Sequence, residues 1–190
     1  MRLFLILILV LNLQSCAPLL GGVSAVAFSS SAQEKGLGTS INDKVVYLKI
    51  RNSVFDWDEL VSKNISISVN DGAILVTGVL KNIDKKIELT KIIWGVRGVK
   101  EVINKVQISE TNNIKNIAKD LASLGEIKAR LMASKELNSL NFSVDVVNNI
   151  AFISGIASSE EEISIVTQIA KKARFIKEVQ NFVKVNKDNR

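Results

Sequence analysis

Residues 65–79, ISISVNDGAILVTGV, decide the fold. Apolar and polar side chains alternate over 65–69, which indicates a half-buried strand. The Asn-Asp-Gly sequence at 70–72 is the turn chemistry of a tight hairpin, and the apolar run over 73–79 predicts a second, more buried strand. The stretch therefore predicts a β-hairpin, and the neighbouring elements can be assigned outward from it.

A helix is predicted ahead of the hairpin. Residues 41–54 show an amphipathic pattern in which Val46 and Ile50 are four apart. Asp43 is placed in the first turn, where a carboxylate favours the helix dipole. Between this helix and the hairpin, a polar loop is predicted around Trp57, formed by Asp56, Asp58 and Glu59.

A second helix and a last strand are predicted after the hairpin. The helix can start at Asn82 or Asp84, and Gly95 and Gly98 end it. Its apolar residues follow helical spacing: Ile83, Ile87, Leu89, Ile92, Ile93 and Trp94. The strand is predicted over 99–108, with Val102, Val106 and Ile108 on one face.

The sequence contains the whole unit twice. Shifting the chain by 77 residues without a gap aligns 41–108 with 118–185, and 17 of the 68 pairs are identical. Identity at this level in a fixed register indicates two homologous domains, a first repeat at 41–110 and a second at 111–187. The second repeat predicts a helix over 113–134, strands over 142–147 and 150–156, a helix over 159–173 and a strand over 177–186.

The predicted fold class is α+β. Each repeat has the order α-β-β-α-β, with the helices packed on one face of a mixed three-stranded sheet. Backbone roles in turns and bends are assigned to four glycines, Gly72, Gly78, Gly98 and Gly155. The alternation of the last strand places Asn104 and Asn181 on its apolar face. A structural hydrogen bond explains an amide side chain at such a position. Glu160, Glu161 and Glu162 are explained as the acidic first turn of a helix.

The first fifteen residues have the layout of a bacterial export signal. Arg2 precedes nine apolar residues at 3–11, and polar and small residues follow. This run is shorter than the roughly 20 residues that a spanning helix needs, so cleavage is favoured over an uncleaved anchor. Residues 1–15 are therefore assigned as a signal peptide, and 16–40, rich in Gly, Ser and Ala, as a lipidated flexible tether.

Cys16 is the predicted lipidation site. Leu13-Gln14-Ser15-Cys16 resembles a lipobox, in which signal removal leaves a diacylglyceryl-modified cysteine at the N-terminus. The alternative is a leftover thiol near an ordinary cleavage site. Several acyl chains such as palmitate would hold the protein on a bilayer, since one chain alone is marginal. Ala17, by resemblance to known bacterial lipoproteins, implies the outer membrane, with the protein facing the periplasm.

Composition argues against an enzyme. The chain has no histidine and one cysteine among 190 residues, which removes the imidazole base, the Cys/His pair, the zinc cluster and the internal disulfide. No phosphate loop or nucleophile elbow appears, so no catalytic residue, metal or cofactor is predicted. The net charge of +6 is too small and too spread to indicate nucleic acid.

The repeat resembles the BON domain, named for bacterial osmotically inducible and nodulation-related proteins. The resemblance rests on Ile-x-Val-x-Asp-Gly-x-Ile-x-Val-x-Gly followed by a helix and by Gly95-Val96-Arg97-Gly98-Val99-x-x-Val102-x-Asn104-x-Val106. The second repeat diverges: Asn148-Asn149 replaces Asp-Gly and Phe175 replaces a glycine. With the lipobox, the chain is similar to dual-BON outer-membrane lipoproteins.

This resemblance implies a non-enzymatic envelope protein that supports membrane integrity, some relatives of which contact anionic phospholipid. The implied partners are the inner leaflet of the outer membrane, anionic phospholipid and other envelope proteins. The candidate lipid-binding residues are the basic clusters of the second repeat, Lys128, Arg130, Lys135, Lys171, Lys172 and Arg174. An ordinary solvated face is the competing explanation of these clusters. A soluble periplasmic stress chaperone of the two-BON osmotically inducible type remains the alternative function.

Overall fold

The structure is a computed structural model that describes residues 37–110 and 114–186. The first repeat consists of α1 Leu37–Trp57, α2 Glu59–Asn64, β1 Ile65–Asn70, β2 Ala73–Leu80, α3 Ile83–Trp94, β3 Glu101–Asn104 and β4 Gln107–Ile108. The second consists of α4 Ile114–Ala133, a 3₁₀ turn Ser139–Asn141, β5 Phe142–Val147, β6 Ile150–Ala157, α5 Glu160–Lys171 and β7 Glu178–Val185. This order confirms the predicted α+β class and the duplicated α-β-β-α-β unit.

The start of the first helix corrects the prediction. α1 begins at Leu37, so residues 37–40, assigned to the tether, are helical. Asp43 consequently lies in the second turn rather than the first, and both Ser40 and Asp43 are buried. They share the inward side of α1 with Ile50, because positions three, four and seven apart fall on one side of a helix.

The predicted polar loop around Trp57 is also wrong. Asp56 and Trp57 complete α1, and Asp58 is the N-cap of α2, where its Oδ1 accepts the backbone N–H of Val61 at 3.0 Å. The ammonium of Lys85 also donates to this carboxylate. The bonds from Lys85 and from the Val61 N–H lower the pKa of Asp58, because both favour the charged form.

Each hairpin turn is held by a carboxylate on the first helix of its repeat. Asp71 and Gly72 have φ angles of 50° and 74°, as a two-residue hairpin turn of this kind requires. Asp43 accepts their backbone N–H groups at 2.8 and 3.0 Å. In the second repeat, Asp120 accepts the corresponding N–H groups of residues 148–149 at 2.7 and 2.8 Å. The change from Asp-Gly to Asn-Asn therefore leaves the turn intact.

The sheets are mixed, as predicted. β1 pairs antiparallel with β2, and β3 and β4 pair parallel with β2. In the second repeat β6 pairs antiparallel with β5 and parallel with β7. In each repeat the two long helices cover one face of the sheet, and the core lies between them. Core residues that are at most 1% exposed include Val46, Ile50, Ile74, Val76, Leu89 and Ile93 in the first repeat, and Ile127, Ile153, Val166 and Ala170 in the second.

The third strand of the first repeat is interrupted. The predicted continuous strand over 99–108 is divided into β3 and β4 by residues 105–106, and here Asn104 Oδ1 accepts the backbone N–H of Val106 at 3.0 Å. Asn104 Nδ2 donates to Thr90 Oγ1 at 2.8 Å and so ties the strand to α3. Asn181 makes the same two kinds of bond in the second repeat, at 2.8 and 2.7 Å. Both asparagines are therefore satisfied within the fold.

A glycine in the second strand of each repeat lets the backbone that precedes the first strand approach closely. A Cβ on Gly78 would lie 2.2 Å from the backbone oxygen of Asn64, and one on Gly155 would lie 2.1 Å from that of Asn141. Both glycines also have positive φ angles, of 127° and 155°. No other residue fits either position without moving backbone.

The two repeats pack sheet against sheet. Leu75 and Phe152, which occupy the same position in the two repeats, are buried together with Val147 in a third apolar cluster between the sheets. Helices cover one face of each sheet and the other repeat covers the opposite face. The central strands are therefore enclosed on both sides, which explains their nearly continuous apolar sequence.

Polar pairs flank this cluster in a symmetric arrangement. Ser68 Oγ and Ser154 Oγ are 2.8 Å apart, and the Thr77 hydroxyl donates to the carboxylate of Asp145. Ser68 and Asp145 occupy one position of the repeat, and Thr77 and Ser154 occupy another. Exchanging the repeats thus converts one pair into the other, so the interface has an approximate two-fold axis.

Candidate functional site

The predicted anchor lies outside the described residues. This applies to Cys16, to the predicted signal peptide at 1–15 and to the tether up to residue 36. Within 37–110 and 114–186, no helix combines the length and apolar character needed to cross a bilayer. The same residues contain no group of three or more acidic or cysteine side chains placed to hold a metal ion.

Glu126 on α4 binds the loop that leads into β7. Its Oε1 accepts from Arg130 Nη2 at 2.7 Å, and its Oε2 accepts from Arg174 Nε at 3.2 Å and from the Arg174 backbone N–H at 3.1 Å. The backbone N–H of Arg174 and the two guanidinium groups lower the pKa of Glu126. Two predicted lipid-binding residues, 44 positions apart in sequence, are thus brought together on one carboxylate.

Phe175, next in this loop, takes the place that glycine has in the first repeat. Gly98 has a φ of 106°, and a Cβ there would lie 2.7 Å from Val46 Cγ2. Phe175 keeps a positive φ of 64°, and the residue equivalent to Val46 is the smaller Ser123. Ser123 is buried and its hydroxyl donates to the backbone oxygen of Arg174. The serine therefore makes room for the aromatic residue and holds its loop.

Phe175 combines a strained backbone with an exposed side chain. A left-handed conformation costs a residue with a Cβ roughly 1–2 kcal/mol. The ring gains little burial in return, because Phe175 is 46% exposed. The ammonium of Lys119 lies 5.7 Å from the ring centroid. Backbone strain at an exposed aromatic residue marks a candidate contact site.

Phe175 lies in a segment rich in cationic residues. We call residues 171–177 the basic loop; it consists of the last residue of α5 and the segment that enters β7. Its cationic residues are all exposed: Lys171, Lys172, Arg174 and Lys177. Lys171 and Lys172 end α5, where a positive charge also favours the helix dipole. The basic loop and Lys119 together bring five cationic residues to the part of the chain that holds the exposed Phe175.

The other predicted cations lie elsewhere. Lys128 lines a groove of about 450 Å³ between the repeats, together with Met132 from α4 and Ser68 from the first repeat. Lys135 is exposed in the segment after α4. The six predicted residues are therefore not one cluster: four belong to the Glu126 contact and the basic loop, and two do not.

A larger groove of about 840 Å³ also lies between the repeats, beside β7. The nearby cations already have partners across the interface. Lys184 forms a 2.6 Å ion pair with Glu101, and the ammonium of Lys105 lies 5.4 Å from the ring centroid of Phe182. These contacts join the two repeats, so the groove is weaker than the basic loop as a site for an anionic ligand.

Sequence reasoning missed three residues of this site: Glu126, Ser123 and Lys119. A signal for Ser123 was available, because the repeat alignment pairs Val46 with Ser123 and Gly98 with Phe175. A glycine replaced by a bulky residue, together with a valine replaced by a smaller residue, is typical of two positions in contact. The four-residue spacing of Glu126 and Arg130 was a signal for their ion pair on α4. Nothing in the spacing pointed to the tertiary contacts of Glu126 with Arg174 or of Lys119 with Phe175.

Comparison with known families gives one match, present twice. The family model described as BON domain matches residues 42–110 and 124–187. Both matches fall within the repeats derived from the sequence, and together they cover more than half of the chain.

Curated relatives align over most of their length. An uncharacterised protein in the gshII 5′ region of Anaplasma centrale is 30% identical over 76% of this chain and 95% of its own. Osmotically-inducible protein Y of Escherichia coli is 26% identical over 78% of this chain and 75% of its own. The outer membrane lipoprotein DolP of Haemophilus influenzae is 26% identical over 88% of this chain and 86% of its own.

Proposed function

The chain belongs to the BON-domain family, and from this premise we propose that it is a non-enzymatic envelope protein, anchored through acylated Cys16 and facing the periplasm at the outer membrane. There it supports envelope integrity by binding anionic phospholipid headgroups through the basic loop. The similarity to an outer membrane lipoprotein over 88% of the chain supports the anchored form, together with the lipobox residues at 13–16.

The observation that carries the lipid-binding proposal is Phe175. The ring is half exposed, its backbone is strained, the ammonium of Lys119 lies 5.7 Å from it, and it belongs to the basic loop. An anionic bilayer surface suits both parts of this site. Each Lys or Arg near the headgroups contributes about 1 kcal/mol, and an aromatic ring favours the interface between headgroups and acyl chains.

The Phe175→Gly variant separates binding from folding. Glycine accepts the positive φ without strain, so we expect the free energy of unfolding to stay level or rise by about 1 kcal/mol. Binding to phosphatidylglycerol vesicles, measured by flotation of the full chain carrying Cys16→Ser, should fall several-fold. Lys172→Gln should weaken binding about fivefold, because it removes about 1 kcal/mol of attraction.

Two control variants isolate the proposed surface. Leu140→Ala removes another exposed apolar side chain of the second repeat, and Lys128→Gln removes a cation that lies in the groove between the repeats. Both should bind vesicles as the parent does. Equal losses in the controls and at the basic loop would contradict the proposal, as would unchanged binding in Phe175→Gly.

A soluble periplasmic chaperone is the second candidate function, and the similarity to osmotically-inducible protein Y favours it. Cys16 distinguishes the two. If the chain is acyl-anchored, Cys16→Ser should move it from the membrane pellet to the soluble fraction after cell lysis, and mass spectrometry of the parent should show a modified N-terminal cysteine. A parent chain that is already soluble, with an unmodified N-terminus, would favour the chaperone.

A further inference from the structure

α1 carries apolar residues on both of its sides. One side enters the core through Val46, Ile50 and Val54. The opposite side is exposed and forms what we call the α1 seam: Ile41, Val45, Leu48, Asn52 and Phe55. Its four apolar members are 43–58% exposed. The core of the first repeat is complete without them, so folding alone does not explain this side of the helix.

The spacing of the α1 seam is that of a helix-pairing surface. Successive members are four, three, four and three residues apart, which is the heptad spacing of the a and d positions in paired helices. Val45 and Asn52 occupy the a positions. A β-branched residue at a favours two-stranded pairing, and a single asparagine at a fixes register and oligomeric state in such pairs.

The second repeat does not have this heptad stripe at the equivalent positions, although α4 exposes Ile117 and Leu121 beside them, at 54% and 68%. The equivalent positions on α4 are also exposed, but they hold small residues and one methionine: Ala118, Ala122, Gly125, Ala129 and Met132. Since both repeats fold in the same way, the BON fold does not require the α1 seam.

Large apolar side chains are also exposed on α3, which packs beside α1 on the same sheet. Ile83, Ile87 and Trp94 are each about half exposed there, at 50–52%. The four apolar members of the α1 seam by themselves expose on the order of 400 Å² in each copy, about half of the ~800 Å² per partner of a standard interface. A helix pair of this size is at the low end of specific contacts between proteins.

We propose that the α1 seam pairs two copies of the chain as parallel, two-fold-related helices. A two-fold axis places each member opposite its own copy, so Asn52 meets Asn52 and the amides bond each other. A bilayer offers this amide no such partner at the centre of the apolar stripe. The pairing itself does not depend on the proposed anchor, but its parallel direction does. Parallel helices place both α1 N-termini, and therefore both Cys16 anchors, at one end.

Cysteine substitution tests the geometry. Cys16 is the only cysteine of the chain, so in the full chain carrying Cys16→Ser the Asn52→Cys variant has a single thiol. Parallel pairing brings the two thiols together, and mild oxidation should give a disulfide-linked dimer as the main species. Met132→Cys, exposed on α4, is the control and should remain largely without a disulfide cross-link under the same conditions.

Charge substitution tests the energetics at matched positions. Phe55 and Met132 occupy the same position of the repeat and are both exposed. In sedimentation velocity of the Cys16→Ser chain, Phe55→Glu should convert dimer to monomer, with at least a tenfold higher dissociation constant. Met132→Glu should leave the dimer unchanged. Circular dichroism should show that both variants are folded.

Four outcomes would overturn the proposal. A chain that is monomeric at every concentration removes it, as does a dimer insensitive to Phe55→Glu. A dimer that does not cross-link through Asn52→Cys excludes the parallel seam. A monomer whose binding to phosphatidylglycerol vesicles is lost in Phe55→Glu would assign the α1 seam to the bilayer instead. None of these measurements uses the acyl anchor, so the anchoring proposal can fail independently.

Discussion

At the scale of single residues, Asp43 and Asp120 show how a tertiary role can be hidden in a local pattern. The repeat alignment identified them as an identical pair, and the sequence suggested a helix-dipole role for Asp43. The structure gives both the same task, which is to accept two backbone N–H groups of a hairpin turn about 28 residues away. Helical periodicity cannot reveal this, because the partner lies on another element.

Replacing this carboxylate tests its role. Asp43→Ala leaves the N–H groups of Asp71 and Gly72 without their acceptor, and we expect the free energy of unfolding to fall by roughly 2–3 kcal/mol. Urea denaturation followed by circular dichroism measures this. Asp56→Ala, at an exposed position of the same helix, should cost less than about 0.5 kcal/mol. Equal effects of the two substitutions would exclude the proposed turn contact.

At the scale of elements, helices and strands were predicted correctly where one periodicity dominates the sequence. The hairpin, α3 and α5 follow from alternation, helical spacing and cap residues. The N-cap of α5 is Ser159, whose Oγ accepts the Glu162 N–H at 3.3 Å, and Glu162 accepts the backbone N–H of Ser158 at 2.7 Å. The acidic run at 160–162 therefore serves the helix start, as its position indicated.

Elements were misjudged where two signals overlap. α1 has apolar residues on its core side and on the α1 seam, so its amphipathic pattern is blurred and its start at Leu37 was missed. The break between β3 and β4 was not predicted either, and the Asn104 bond to the Val106 N–H does not explain it, because Asn181 makes the same bond within the continuous β7.

The candidate site was only partly predictable for a similar reason. Clusters of Lys and Arg are visible in the sequence, and the basic loop was included among them. The pairing of Arg130 with Arg174 through Glu126 requires α4 to pack beside the loop, and the separation of Lys128 from them depends on which side of α4 it occupies. Neither the ion pairs nor the position of Lys128 can be predicted from charge composition.

At the scale of the whole molecule, the repeats form one body through the faces of their sheets. The apolar content of the central strands indicated deep burial, but it could not show that the second cover is the other repeat. Leu75 and Phe152 meet near the approximate two-fold axis, and polar pairs flank them. A shared cluster of this kind couples the stability of the two repeats.

The Phe152→Ala variant tests this coupling. Phe152 is 2% exposed and contacts both sheets, so its truncation should cost about 3–5 kcal/mol and raise amide hydrogen exchange in both β2 and β6. Val166→Ala is the control: Val166 is fully buried in the core of the second repeat alone, and its truncation should accelerate exchange mainly in β6. If Phe152→Ala affects β6 and leaves β2 protected, the two repeats open independently and the contact between them adds little to the stability of either.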